Sequence, residues 1–203
     1  MRQVLVATRS DGKLRELRPL LAAAGITPLD LDMVGLAYTA AEEEIEMHDT
    51  FEANALAKAR YFHALSGLPV MADDSGLEVD ALGGRPGVRS KRWAGRSDLR
   101  GQALDDANNA ALRAALEMFV DRRGGYICAA AFVDTEGEVV RRGETWGTLL
   151  REPQGNGGFG YDPYFWSAEL TRTFGEASVE AKASVSHRAR AFAALLAALV
   201  GRR

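Results

Sequence analysis

The chain predicts an α/β fold with a mixed central sheet flanked by helices, and two features predict it. Apolar runs short enough for buried strands alternate with helix-period patterns in the first half. Two apolar segments in the second half, Tyr126 to Val133 and Glu138 to Thr148, are joined by Glu136-Gly137 and fit a hairpin. Antiparallel pairing added to strand-helix-strand units gives a mixed sheet rather than a parallel one. The 203 residues contain no repeat, low-complexity tract or long linker, so a single domain over residues 1–203 is expected.

In order along the chain, Gln3-Val4-Leu5-Val6-Ala7 is the first buried strand. Ser10-Asp11-Gly12 turns into a helix from Lys13 to Ala24, with Leu14, Leu17, Leu20 and Leu21 on one face and Gly25 stopping it. Asp49-Thr50-Phe51-Glu52 opens a second helix, Asp49 as cap and Glu52 reciprocating, that runs to about Leu65 ahead of Gly67 and Pro69. Val70-Met71-Ala72 is a short strand ending in an acidic turn, Asp73-Asp74-Ser75-Gly76, and Gly83-Gly84-Arg85-Pro86-Gly87 is a loop. A third helix spans Leu104 to Val120, and after the hairpin a glycine-dense loop covers Arg151 to Pro163. The last helix begins near Ser186 and places Phe192, Leu195, Leu196 and Leu199 at core spacing before Gly201.

Composition narrows the function classes. Lysine and arginine number 25 against 28 aspartates and glutamates, a net charge of −3, which argues against a polymeric nucleic-acid partner but leaves room for a single nucleotide. Met1-Arg2-Gln3 enters the first strand without the apolar segment of a signal peptide, and Ala191 to Val200 is too short to span a bilayer; a cytoplasmic protein with no membrane partner is expected. The single cysteine, Cys128, sits in an apolar run as a buried small residue, so no cysteine-based zinc or redox pair exists.

Six stretches could carry chemistry. Thr8-Arg9-Ser10-Asp11-Gly12-Lys13 lies between a strand and a helix, where free N–H groups and a lysine suit an anion; it lacks the leading glycine and trailing Ser or Thr of a Walker A loop, and an ordinary turn is the plainer alternative. Asp73 and Asp74 need a cation or donors to offset their repulsion, which points to Mg²⁺ or a catalytic base, with a cap or Asx turn as the alternative. In an extended segment only one of the two faces a given site. Glu42, Glu43, Glu44 and Glu46 offer a further oxygen ligand or simply a solvated face. Gly155-Asn156-Gly157-Gly158-Phe159-Gly160 matches G-x-G-x-x-G, but Tyr161-Asp162-Pro163 follows where a Rossmann motif needs a helix; the better account is a loop that admits close backbone approach, with Phe159 and Tyr161 free to stack on a base. Lys182 and Ser186-His187-Arg188 place cations at a helix start against its dipole, which favours a ligand or carboxylate partner over capping. Asn54 and Lys58, four apart on the second helix, suit a site wall or solvation.

Together and in this order these motifs resemble the inosine/xanthosine triphosphate pyrophosphatase family, also called Ham1-like. The resemblance rests on Leu5-Val6-Ala7-Thr8 with Lys13, Thr50-Phe51 with Asn54-Ala55 and Lys58-Ala59, Ala72-Asp73-Asp74-Ser75-Gly76-Leu77, Gly83-Gly84-Arg85-Pro86-Gly87-Val88, Gly157 through Pro163, and Ser186-His187-Arg188. It implies an elongated ITPase-like fold of two lobes with the nucleotide cleft between them, a homodimer, and Mg²⁺-dependent hydrolysis of a purine nucleoside triphosphate (ITP, dITP or XTP) to monophosphate and pyrophosphate. By resemblance Thr8 to Lys13 hold the triphosphate, Asp74 activates water while touching the metal, Glu46 is the second metal ligand, and Ser75 joins the substrate contacts. Phe159, Gly160, Tyr161, Asp162, Lys182, His187 and Arg188 complete the nucleotide pocket. Donors such as His187 or Arg188 would suit a 6-oxo group and repel the 6-amino group of adenine.

The sequence departs from the family's pattern in three places. Arg9 stands where glycine is usual, Ser10 where asparagine is usual, and Ala53 replaces a common glutamate. A non-catalytic nucleotide-binding or sensor module on the same fold is the alternative, against which the retained Asp74 and Lys13 argue.

Overall fold

In the computed structural model, residues 2–200 are described. A seven-stranded sheet has the order β2-β1-β3-β4-β5-β6-β7, from β1 (Arg2–Val6), β2 (Ile26–Leu29), β3 (Val70–Val79), β4 (Arg123–Asp134), β5 (Gly137–Leu149), β6 (Phe165–Ser167) and β7 (Arg172–Thr173). Strand β1 pairs in parallel with β2 and β3, whereas β6 runs antiparallel to β5 and β7, so the sheet is mixed as expected. The helices are α1 (Asp11–Ala23), α2 (Phe51–Ser66), α3 (Gly101–Ala115), α4 (Val179–Val185) and α5 (His187–Val200).

The chain divides into two compact units. The first holds residues up to Asp74, Cys128–Gly143 and those from Arg188 onward; the second holds Ser75–Ile127 and Glu144–His187. Each has its own apolar core. In the first, Val4, Val6, Leu17, Leu21, Met71, Phe132, Phe192 and Leu195 pack together, so the alternating inward residues of β1 and the stripes of α1 and α5 bury as their periods predict. The second is more aromatic, with Tyr126, Tyr161, Tyr164, Phe165 and Phe174 around Leu77, Leu112 and Leu149.

Three expectations need correction, and one helix is additional. Asp73-Asp74-Ser75-Gly76 is not a turn; β3 continues through it to Val79, which removes the cap and Asx-turn readings. Aspartate, serine and glycine are poor strand formers, and partners from distant segments hold these residues extended. The cap of α2 is Thr50 rather than Asp49, because its hydroxyl accepts from the Ala53 N–H at 3.2 Å. Helix α3 starts at Gly101 and stops at Ala115, short of Val120. There Arg122 donates to the carbonyls of Leu116 (2.7 Å), Leu149 (2.8 Å) and Leu150, satisfying the helix end and leaving Met118 and Val120 exposed. Helix α4 has no apolar stripe long enough to announce it; Ser178 caps it by accepting from the Ala181 N–H. Gly201 lies outside the described residues, among which no helix is long and apolar enough to cross a membrane.

Candidate functional site

In the first unit, the turn after β1 and the middle of β3 meet at Asp73. Thr8 is buried, and its hydroxyl accepts from the Ser10 N–H at 3.1 Å. Ser10 caps α1 by accepting from the Lys13 N–H, so Asp11 and Gly12 form the first helical turn and Lys13 projects from it. Its Nζ lies 3.1 Å from Asp73 Oδ2 and donates to the Asp73 carbonyl at 3.3 Å. Arg9 reaches the acidic segment. Its Nε and Nη2 donate to the two Glu42 oxygens at 3.1 and 2.7 Å, and Nη1 approaches Asp32 at 3.4 Å. This fork, together with a bond from Tyr38 to Glu43, shows that part of the acidic run has partners rather than being a wholly solvated face.

The pleat sends the two aspartates to different partners. Asp73 is 1% exposed; its Oδ2 accepts from Arg188 Nε at 3.1 Å, and its Oδ1 is buried with no hydrogen-bond partner. Burial would raise its pKa, but Lys13, Arg188 and Lys58 outweigh it and hold the carboxyl well below the usual carboxylate range. The same burial, with Asp73 alongside, pushes the Cys128 thiol far up, so it is inert. Asp74 accepts from Asn54 Nδ2 at 2.9 Å. Burial lifts its pKa above the ordinary value; Lys13 opposes and Glu46 adds to the rise. Asn54 is fully buried and fixed by bonds to the backbone N–H and carbonyl of His48.

Lys58, one turn further along α2, donates to Glu46 and, at 2.6 Å, to the Asp73 carbonyl. Burial works against its charge, yet Glu46, Asp73 and Asp74 raise its pKa; burial likewise opposes ionisation of Glu46, and Lys58 with Lys13 prevails, lowering it. Arg188 is 2% exposed and also pairs with Glu16 of α1. The surface salt bridge weighed for Arg188 from sequence is thus a buried network. Lys13, Lys58 and Arg188 face Glu16, Glu46, Asp73 and Asp74, so cations and carboxylates alternate at the site. From sequence alone Asn54 and Lys58 suit either a wall or solvation, and Glu16 has only one signal, its place three residues after Lys13 on the same helix face.

Among the described residues, no three His, Cys, Asp or Glu side chains form a ready-made metal cage. Magnesium does not require one, since it is held by one or two carboxylates with waters and substrate phosphates. Asp74 and Glu46, hard-oxygen groups close enough for Glu46 to raise the Asp74 pKa, fit that donor set, as does the unpartnered Asp73 Oδ1.

The second unit holds the aromatic loop. Gly158 has φ of +73°, and a Cβ there would run into the Asp162 carboxylate, so glycine is required. That carboxylate accepts from the Phe159 N–H at 2.9 Å and from Lys182 Nζ at 2.5 Å, both ends of the pair being almost fully buried. Lys182 Nζ sits 4.8 Å from the Phe159 ring centroid, and the Tyr161 hydroxyl donates to the Ser90 carbonyl at 2.7 Å. His187 is buried and stacks on Tyr126 at 4.7 Å with rings 10° from parallel. The glycine-rich segment leads into a short 3-10 turn, Asp162–Tyr164, and not a long helix, which excludes the dinucleotide fingerprint. Ser75 follows Asp74 directly on β3 as the first residue of this unit.

Known proteins match the chain in sequence and in fold. The model of the Ham1 family matches residues 4–198. A dITP/XTP pyrophosphatase of Mycobacterium tuberculosis is 50% identical over 199 residues, covering 97% of this chain and 95% of the relative, and one of Frankia alni is 48% identical over 193 residues, covering 94% and 93%. Among solved structures, the Staphylococcus aureus Ham1 protein superposes with a TM-score of 0.83 at 30% identity over the whole of both chains. A nucleoside-triphosphatase (dITP/XTP pyrophosphatase) from Mycobacterium abscessus gives 0.71 at 43% identity, covering 96% of this chain and 98% of that one. With the family model matching residues 4–198 and relatives about half identical over nearly the full length, this chain belongs to the Ham1 family.

Proposed function

We propose that this protein hydrolyses ITP, dITP and XTP at the α-phosphorus: water adds to the phosphorus, the α–β anhydride bond breaks, and nucleoside monophosphate and pyrophosphate leave. The observation that carries the reading is Asp74, a buried carboxylate oriented by Asn54 with its pKa raised, beside the cations Lys13 and Lys58. A raised pKa makes Asp74 a better proton acceptor, suited to orienting and deprotonating water, while Lys13 and Lys58 offset the charge of a triphosphate. Asp74 and Glu46 would hold Mg²⁺, which when bound neutralises phosphate oxygens and acidifies water. Thr8 through Lys13 form the anion-binding turn, with Ser75 adjoining Asp74.

Base selection is assigned to the second unit and the residue that follows it. Phe159, Gly160 and Tyr161 offer a stacking surface, Asp162 fixes Lys182 and the loop, and donors from Lys182, His187 and Arg188 favour a 6-oxo acceptor over the 6-amino donor of adenine. On this reading residues 1–203 are a single domain. The reading extends to a cytoplasmic homodimer acting on free nucleotides, without a membrane or nucleic-acid polymer as partner. Incubation with Mg²⁺ and ITP, dITP, XTP, ATP and GTP tests it: pyrophosphate release from the first three and little from ATP is expected, whereas orthophosphate as the product would defeat it.

A further inference from the structure

Helix α3 carries two polar side chains, four residues apart on one face, that end on the same backbone unit. Asp105 Oδ2 accepts from the Gly160 N–H at 2.8 Å, and Asn109 Nδ2 donates to the Gly160 carbonyl at 3.0 Å. Both main-chain polar groups of Gly160 are therefore held from outside the loop. Gly160 sits in the left-handed region with φ of +62°, between the two aromatic residues of the loop. Phe159 is tied through its N–H to Asp162 and Tyr161 through its hydroxyl to the Ser90 carbonyl, so the residue between them is the one fixed by α3.

The cost of the arrangement points the same way. Asn109 is 8% exposed and its Oδ1 is buried without a hydrogen-bond partner. Asp105 is partly buried, and burial raises its pKa against the Gly160 N–H that favours its charge. A helix face required only for packing is better served by leucine or alanine, which bury no unpaired acceptor and no carboxylate.

We propose that Asp105 and Asn109 are positioning residues for base recognition: by gripping Gly160 at both polar groups they set where Phe159 and Tyr161 meet the purine. The inference rests on the proposed pyrophosphatase reading and deepens it, since it assigns control of the base-binding loop to a helix that lies outside every motif of the resemblance. It concerns the base and not the triphosphate, and this separates it from a general structural role.

The test is steady-state kinetics of Asp105→Ala, Asn109→Leu and Asn109→Asp with ITP and XTP, alongside inhibition by inorganic tripolyphosphate, which has no base. The expected result is a KM about tenfold higher with kcat within about twofold of wild type and an unchanged tripolyphosphate inhibition constant; tenfold corresponds to about 1.4 kcal/mol. Asp105→Asn keeps an acceptor for the Gly160 N–H and should recover most of the loss seen in Asp105→Ala. A fall in kcat at constant KM, or an equal loss of tripolyphosphate binding, would make these residues merely structural and overturn the proposal. So would wild-type kinetics in all three variants. If an Asn109 variant does not fold, the Asp105→Ala and Asp105→Asn pair decides alone. Absence of ITP turnover in the wild-type protein would defeat the pyrophosphatase reading itself, and the inference with it, an outcome distinct from indifference of the variants.

Discussion

Replacing Arg188 with methionine is the sharpest probe of the buried ion network. The substitution removes the Nε bond to Asp73 and the pairing with Glu16, and it keeps the approximate volume of the stem. Asp73 is 1% exposed, so it cannot be rehydrated in place, although Lys13 remains 3.1 Å from the same oxygen. Breaking a buried pair by removing one partner costs about 3–5 kcal/mol. The surviving lysine and the greater access of Glu16, whose side chain is 14% exposed, put Arg188→Met near the lower end, about 3 kcal/mol. For a chain of this length, about 2–4 °C of Tm is lost per kcal/mol, giving a drop of about 6–12 °C by calorimetry at neutral pH. Asp73→Asn in the same background should cost much less than it does alone, because the charge left without its partner is gone; the double-mutant cycle reads that coupling directly. A Tm within about 2 °C of wild type for Arg188→Met, or strict additivity in the double variant, would refute the account of Asp73 as a carboxylate held by its cations.

Further outcomes follow from the same contacts. Lys182→Met leaves Asp162, 2% exposed, without its cation and should destabilise by about 3–5 kcal/mol in chemical denaturation, while also raising KM for ITP. Gly158→Ala forces a side chain into the Asp162 carboxylate at a positive φ, so a stability loss of about 1–3 kcal/mol and a higher KM are expected from thermal melts and kinetics. The Asp105 pKa is raised in the folded chain, so its ionisation is destabilising from about pH 4, the unfolded value, upward through the folded one. Asp105→Asn should accordingly raise Tm slightly at pH 7, and the gain should vanish once the pH falls below about 4, as read from melts across that range. Chelation with EDTA should abolish ITP turnover and added Mg²⁺ restore it; turnover that persists under chelation would remove Asp74 and Glu46 as metal ligands.

The parts of the fold set by local periodicity were legible from residues alone. Strand β1, the leucine face of α1, the span of α2 and the apolar stripe of α5 follow from spacing, because each buries one continuous face. What spacing misreads is the middle of β3. Residues 73–76 carry turn formers, and they remain in a strand because Asn54 holds Asp74 from 20 positions away and Arg188 holds Asp73 from 115 positions away. The same limit hid the α3 clamp, since Asp105 and Asn109 resemble an ordinary polar helix face until Gly160, more than fifty positions later, is placed against them. Arg9 is a third instance: in the turn after β1, its guanidinium is engaged by Glu42 and Asp32, more than twenty positions away. In each instance the deciding partner is distant in sequence and polar, and no local pattern encodes it.

The role proposed for Asp74 is to drive hydrolysis at the α-phosphorus. Its most direct test compares wild type and Asp74→Asn with ITP and Mg²⁺, following pyrophosphate release in one experiment and nucleotide binding by calorimetry in another. Pyrophosphate is expected from the wild type, with a loss of at least about 100-fold in the variant, as for a missing general base, and ITP binding that survives the substitution. Wild-type turnover in Asp74→Asn would contradict that role.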